Sequence, residues 1–314
     1  MDLVSVVIPS YNYGRFVTQA VDSALAQTHS AIEVIVVDDG SIDDTRERLK
    51  GYEKRIQYIY QKNQGLSAAR NTGIRHARGE WVALLDSDDS WHPKKTEMQL
   101  AAVGEDQSIG LVGSPEYVEM PEVLLEDPVL RELGVREFLT KPPVSPSAVM
   151  VRRKCFETVG LFDESLRSVE DRDMWLRLAA RYRALQVCSP CWWYRQHSGQ
   201  MNRNADRMFA NYKRVLESFF REHPKHQHLR RYAMGYLYFD AVWSYRDEGR
   251  RVAALWRLAQ STWYRPQGFG RERPDRPFGR LKVAMRLLFG RSARAALAHA
   301  PEVADKQTAN AVAN

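Results

Sequence analysis

The feature that most limits what this chain can fold into is the β-branched run LVSVVI at residues 3–8, closed by Pro9. A helical apolar pattern follows it at Phe16, Val17, Ala20, Val21, Ala24 and Leu25. A strand without polar alternation is buried on both faces, and a helix-length connection after it leads to a parallel neighbour. The pattern then repeats. IEVIVVDDGS supplies a second strand, a helix begins near Asp43, and IQYIYQ is a third strand. A helix from Ser67 to Ala77 is released by Gly79, and WVALLDSDDSW is a fourth strand. Strands alternating with helices of this length predict an open α/β fold, its sheet mostly parallel and covered on both faces.

Beyond residue 107 the rhythm loosens. SIGLVGS reads as a fifth strand, and the stretch from Glu119 to Pro146, with Pro121, Pro128, Pro142 and Pro143, reads as an irregular insert. SAVMVRR is a further strand. SVEDRDMWLRLAARY is a helix entered with acid at its N-terminus, its apolar face carrying Met174, Trp175, Leu178 and Ala179. From about residue 205 the chain is helical in pattern and rich in Tyr, Trp and Arg. The expected organisation is an α/β domain over 1–204, with halves 1–107 and 108–204, a helical region over 205–301 and a frayed tail over 302–314.

The formal charge is +7, and between Arg203 and Arg294 basic residues outnumber acidic ones by more than two to one. That field suits anionic headgroups, phosphate-bearing substrates or nucleic acid, and composition does not choose among them. The odd set Cys155, Cys188 and Cys191 fits a reducing compartment. Cys188 and Cys191 have the spacing of one half of a zinc site, with no second half to complete it. The start MDLVSVVIPSYNYG has no basic n-region, and no segment reaches the ~18 continuous apolar residues of a membrane span. A cytoplasmic location, or one against a membrane without crossing it, is expected.

Three strand ends carry the chemistry: Pro9 to Tyr11, Asp38 with Asp39, and Asp86 to Asp89. In open α/β sheets ligands bind beyond the carboxyl ends of the strands, so these residues should share one crevice. Asp86, Asp88 and Asp89 concentrate negative charge that a magnesium or manganese ion would balance, such ions also holding substrate phosphates. Residues i and i+2 of an extended segment point the same way, so Asp86 and Asp88 should address one ligand while Asp89 turns aside. A calcium loop starting at Asp86 fails because Trp91 stands where that loop needs glycine and Pro93 follows. Asp38 and Asp39 either form a tight turn or accept hydrogen bonds from a nucleobase and ribose.

Arg70 is either a surface arginine or a residue at the nucleotide or an acidic side chain, its helix starting near the same crevice. Glu170 and Asp171 either favour a helix N-terminus electrostatically or supply a general base, since a helix N-terminus keeps a carboxylate ionised. His197, in WWYRQHSGQMN, is either packed or reaches the metal or diphosphate from a closing loop. Trp192, Trp193 and Tyr194 before it are core or loop anchors, or a sugar platform.

VSVVIPSYNYGRFVTQAVDSALAQTHSAIEVIVVDDGSIDDT, NQGLSAARNTGIRHARGEWVALLDSDDSWHPKK and VGLFDESLRSVEDRDMWLRLAARY resemble, in that order, the family 2 glycosyltransferases of the GT-A fold. The likeness extends over residues 3–200. It implies a Rossmann-like GT-A sheet with a helical C-terminal extension, and inverting, metal-dependent transfer from a nucleoside diphosphate sugar, UDP-linked by default, to a hydroxyl of a glycan or lipid-linked acceptor. In that picture Pro9, Tyr11, Asp38 and Asp39 surround base and ribose, with Arg70 on the nucleotide side. Asp86 and Asp88 are the DxD pair, Asp88 being the direct ligand of Mn2+ or Mg2+ and Asp86 lying nearer ribose or a metal-bound water. Asp171 is the general base beside Glu170, and His197 matches a YRxH segment near the metal.

The QxxRW pattern and membrane helices of processive synthases are absent from the sequence, which favours a single-addition enzyme in cell-surface polysaccharide synthesis. FGRLKVAMRLLFGRSARAALAH is either an interfacial helix beside anionic lipid or a basic helix packed on the catalytic domain, and nucleic acid is not an expected partner. Two other functions compete. A sugar-phosphate nucleotidyltransferase should carry a glycine-rich basic loop where PSYNYGRF stands. A non-catalytic glycan or nucleic-acid binding module would draw on the basic aromatic C-terminal half.

Overall fold

The structure, a computed structural model, describes residues 2–116, 128–195, 197, 204–266 and 279–289. In chain order the elements are β1 (Val4–Ser10), α1 (Gly14–Leu25), β2 (Ile32–Asp38), α2 (Thr45–Leu49), β3 (Gln57–Tyr60), α3 (Leu66–His76) and β4 (Trp81–Leu84). Then come β5 (Ser90–Trp91), α4 (Lys95–Val103), β6 (Ile109–Gly113), β7 (Leu130–Leu133), α5 (Val135–Phe138), β8 (Met150–Arg152), α6 (Arg153–Val159), α7 (Glu170–Ala179) and β9 (Arg183–Val187). Last are β10 (Trp192–Trp193), α8 (Ala205–Glu222), α9 (Arg230–Asp247), α10 (Arg251–Tyr264) and α11 (Gly279–Phe289).

The main sheet has the order β3-β2-β1-β4-β8-β6-β9-β7. β3, β2, β1 and β4 are mutually parallel, as the β-branched runs and their crossovers require. β1 sits in the centre of that half, and all seven of its residues are buried. Helix α3 lies directly on it: a methyl at Gly73 would overlap the side chain of Val7, so glycine sets the helix-to-strand distance.

The far half departs from a purely parallel sheet. β8 runs antiparallel to both β4 and β6, and β7 antiparallel to β9. Among the described residues only the four-residue α5 and a 3-10 turn stand between β7 and β8, too short for a crossover helix that would enforce a parallel entry. The insert expected to be irregular supplies β7 and α5. β7, LREL, is an edge strand whose Leu130 is exposed and whose Leu133 is buried. Its charged residues, with Glu132 paired to Arg183 at 2.9 Å, give it the composition of a loop.

The chain divides into two compact units, Met1–Asn202 with Asp206–Ala233, and Arg203–Ala205 with Met234–Asn314. Within the first, helix α8 is fastened over the segment that leads into α7. Tyr212 donates to the Leu139 carbonyl (2.8 Å), Asn211 to the Ser168 hydroxyl (3.0 Å), and the Arg172 guanidinium lies 4.4 Å from the Tyr212 ring centre. Within the second, α10 packs on α9 through Ser261, which donates to the Gly235 carbonyl (2.8 Å), and through Tyr264 stacked on Tyr238. The expected tail 302–314, and residues 290–299 of the basic amphipathic stretch, lie outside the described residues. Among the described residues no helix is long and apolar enough to cross a membrane.

Substituting Gly73→Ala should lower the unfolding free energy by about 1–3 kcal/mol, since Val7 is fully buried and has nowhere to move. Urea or thermal unfolding of the variant checks it.

Candidate active site

The strand ends meet as expected, and each is shaped by its own hydrogen bonds. Pro9 stays within β1 opposite Val37, and Tyr11 emerges 44% exposed. Asn12 follows in the left-handed region (φ 59°), its side chain accepting from Ile42 N (2.8 Å) while its own N–H donates to the Ser41 hydroxyl (2.9 Å). Asp38 accepts from Ser41 N (2.8 Å) and from the Tyr58 hydroxyl (2.6 Å). Asp39 accepts from Gln61 (2.7 Å), Gln64 N (2.9 Å) and Gly65 N (2.8 Å). Both aspartates are buried and shape the walls of the crevice, the second anchoring the loop that opens α3.

Arg70 ties the two halves together. It is 1% exposed, and it donates from Nη2 to Asp86 Oδ1 (2.7 Å) and from Nη1 to Glu170 Oε1 (2.9 Å). Its third nitrogen, Nε, makes no hydrogen bond, and the guanidinium lies 5.5 Å from the Phe162 ring centre. Burial disfavours its charge, but Asp86 and Glu170 outweigh burial and the net direction is upward, so it stays a cation. The adjacent Asn71 holds α3 to the segment ahead of α7, donating to the Phe162 carbonyl and to Glu164 (both 2.9 Å) and accepting from Phe162 N (2.9 Å).

The acidic turn after β4 is tighter than an extended segment. Asp89 N donates to the Asp86 carbonyl (3.0 Å), closing a turn in which Asp86 and Asp88 take different side-chain partners. Asp86 faces Arg70, whereas Asp88 Oδ2 lies 3.0 Å from His197 Nε2. Asp89 turns inward, accepting from the Ser147 hydroxyl (2.6 Å) and from Arg195 N (3.1 Å). Ser147 in turn accepts from Asp86 N (3.1 Å).

His197 arrives here because β10 pairs antiparallel with β5, Trp192 opposite Trp91. Arg195 then donates to the Asp88 carbonyl (3.0 Å) and stacks between Trp193 and Phe16. Arg15 Nη2 lies 3.4 Å from His197 Nδ1. An arginine can only donate, which assigns Nδ1 as acceptor and puts the ring proton on Nε2, facing Asp88.

The carboxylates raise one another. Burial and then Asp86 push Asp88 up; burial, then Asp86 and Asp88, push Asp89 up to about 8. Burial and the same two charges push the Tyr13 phenol up to about 12. Among the described residues no group of three or more His, Cys, Asp or Glu closes into a metal-holding cluster. The donor set nonetheless fits a hard divalent cation: oxygen-rich, half-buried, and carrying mutual repulsion that a cation at Asp88 would relieve.

Across the crevice, α7 is entered through Val169, a buried β-branched residue held at φ 59°, a conformation that costs of order 1–3 kcal/mol. Glu170 follows, buried against Arg70. Burial pushes its carboxyl up and Arg70 opposes that. Asp171 comes next, less buried, its Oδ1 accepting from Arg172 N (2.8 Å). Its charge is felt at both Arg70 and Glu170, so it belongs to the same electrostatic site.

Every site residue predicted from the sequence lies on these strand ends, on α3, at the head of α7 or on the 192–197 return. Ser147, Tyr13 and Arg195 were not foreseen. The last two stand inside motifs that were already quoted, whereas Ser147, in PVSPSAVM, carries no local signal.

With this geometry in view, residues 5–160 match the family described as Glycosyl transferase family 2, and residues 118–235 match Glycosyltransferase like family 2. An uncharacterised glycosyltransferase of Rickettsia typhi is 30% identical over 237 residues, 72% of this chain and 74% of the relative. The chain belongs to the family 2 glycosyltransferases. It spans only 26% of another relative, an uncharacterised glycosyltransferase of Rickettsia bellii, 36% identical over 183 residues. Among solved structures it resembles the mannosyltransferase PcManGT of Pyrobaculum calidifontis in complex with GDP-Man and Mn2+, with TM-score 0.60, 18% identity and coverage of 96% of this chain and 81% of that one. It also resembles S. aureus TarS (residues 1–349) in complex with UDP-GlcNAc, with TM-score 0.57, 18% identity and coverage of 85% and 93%. The fold is GT-A, and sugar transfer from a nucleotide-sugar donor is the chemistry of the family.

Behind the acidic turn this glycosyltransferase buries a lysine. Lys95 is fully enclosed, donates to Gln99 (2.9 Å) and sits 3.9 Å from the Trp91 ring centre, bracing β5 from below. Burial pulls its pKa from 10.5 down to about 7. Between those values the unfolded chain holds one more proton than the folded one, so this group makes stability rise with pH across the window and fall as pH drops towards 7. Urea titrations should therefore show parent stability, measured relative to Lys95→Met, climbing above pH 7 by up to about 1.4 kcal/mol per pH unit.

At the ionic bridge, Arg70→Met should cost about 3–5 kcal/mol by leaving Glu170 buried and uncompensated. Adding Glu170→Met should recover part of that loss in the same denaturation measurement.

Proposed function

We propose that the enzyme performs inverting transfer of a sugar from a nucleoside diphosphate donor, UDP-linked by expectation, to a hydroxyl of a glycan or lipid-linked acceptor in cell-surface polysaccharide synthesis. The donor half is 1–107 and the acceptor half 108–204. The observation that carries this reading is the Asp86–Arg70–Glu170 bridge, which holds the donor-side turn and the head of α7 to one guanidinium. Asp171, next along α7, is then the acid placed to serve a nucleophile arriving at the donor edge.

In this reading Pro9, Tyr11, Asp38 and Asp39 frame the base and ribose. Asp171 accepts the acceptor's proton as its oxygen attacks the anomeric carbon from the face opposite the leaving diphosphate. A single displacement of this kind inverts configuration and needs no sugar–enzyme intermediate. Asp88, with Asp86 and His197 beside it, would hold Mn2+ or Mg2+, and such an ion supplies positive charge to the leaving diphosphate. Glu170, tied to Arg70, orients the helix rather than exchanging protons. TarS is described with UDP-GlcNAc and PcManGT with GDP-Man and Mn2+, which supports a nucleotide-sugar donor and a divalent ion here. The location that follows is cytoplasmic, peripheral on the inner face of the membrane, where a lipid-linked acceptor is presented.

A donor panel read out by nucleoside diphosphate release, with lipid-linked and soluble acceptors, tests the reading. Asp171→Asn should lower turnover about 10²–10⁴-fold while calorimetry shows donor binding unchanged. Asp88→Asn should abolish the enhancement of donor binding by Mn2+. Turnover near the parent rate in Asp171→Asn, or Mn2+ dependence intact in Asp88→Asn, contradicts the assignment of that residue.

A further inference from the structure

Helix α10 is apolar on two opposite sides. Ala254, Leu258 and Ser261 are buried on the side packed against α9. On the other side Val252 is 83% exposed, Trp256 63% and Trp263 80%, with exposed Ala259 between them. The spacing i, i+4, i+7, i+11 puts all four on one stripe. A helix paired on one side normally turns charge to the other, and exposed tryptophans in a row are not what an unoccupied solvent face selects. Helix α11 repeats the arrangement on a smaller scale: Leu287 is buried, while Leu281, Met285 and Leu288 are 57%, 50% and 51% exposed at i, i+4, i+7. Arg280 fixes α11 to α10, donating to the Ser261 hydroxyl (2.7 Å) and to the Arg265 carbonyl (2.8 Å).

Charge on these helices has one sign. Arg251, Arg257, Arg280 and Arg286 stand on them, and neither sequence contains an aspartate or glutamate.

We propose that the Val252–Trp256–Ala259–Trp263 face of α10, with the exposed leucines and methionine of α11, inserts into the headgroup region of an anionic lipid membrane. Tryptophan suits that depth because its ring is apolar and its N–H remains hydrogen-bonded at the interface. The exposed Arg251 and Arg286 meet the lipid phosphates, whereas Arg257 and Arg280 are engaged between the helices. A second copy of the chain is the poorer occupant, since it would set one positive belt against another. The assignment builds on the peripheral placement proposed above, names a surface for it, and is independent of the donor site.

The test is co-sedimentation of the full chain with vesicles of phosphatidylcholine alone and of phosphatidylcholine with phosphatidylglycerol. The parent should partition onto the anionic vesicles, weakly onto neutral ones, and less as salt is raised. The Trp256→Ser, Trp263→Ser double variant should lose at least about tenfold in partition while its thermal unfolding and its binding of UDP stay as in the parent. Equal partition of parent and double variant overturns the assignment of the face even if membrane binding itself persists. Absence of binding to either vesicle overturns it, as does a concentration-dependent dimer in sedimentation velocity that the double variant abolishes. UDP binding, followed separately, reports on the donor site whichever way the vesicle experiment falls.

Discussion

One buried guanidinium organises this molecule. Arg70 is enclosed on α3, a helix packed so closely on β1 that Gly73 touches Val7, and it is held by Asp86 on one side and Glu170 on the other. A buried charge persists only where paired and hydrogen-bonded, so burial of Arg70 compels the turn after β4 and the start of α7 to stay within one side chain of each other. Asn71 ties the same helix α3 to the 162–164 segment that leads towards α7. The Arg70 Nε–H without a partner, and Val169 in the left-handed region, are local penalties of this arrangement.

A second constraint gathers the residues around the acidic turn. The two-residue ladder between β5 and β10 returns the chain to the acidic turn, so Arg195 and His197 close over Asp88 while Ser147 and Arg195 N satisfy Asp89. The three aspartates thus divide the work by direction: Asp86 to the arginine, Asp88 to the histidine, Asp89 to the scaffold. Lys95, enclosed beneath Trp91, braces the underside of the same ladder.

The parallel half of the sheet was legible because β-branched runs and 3.6-residue periodicity are local signals, and because strand ends predict where a ligand crevice forms. The antiparallel β8 and the edge strand β7 were not. β8 enters without a crossover to set its direction, and LREL has an edge strand's polarity, which local composition does not separate from a loop. The side-chain partners of Asp86 and Asp88 were not legible for a similar reason: a single Asp89 N–H to Asp86 bond turns an extended segment into a tight one.

By itself the sequence determined the alternating α/β order, the carboxylates at two strand ends, the acid pair heading α7 and the family motifs, because each depends on neighbours within a few residues or on residue types in a fixed spacing. Tertiary structure alone decided which acids face which partners. Arg70 reaches Asp86 and Glu170 across separations of 16 and 100 residues, and His197 meets Asp88 across 109. Contacts at such range leave no periodicity in the chain. Their geometry exists only once burial forces each charge to find its counterion.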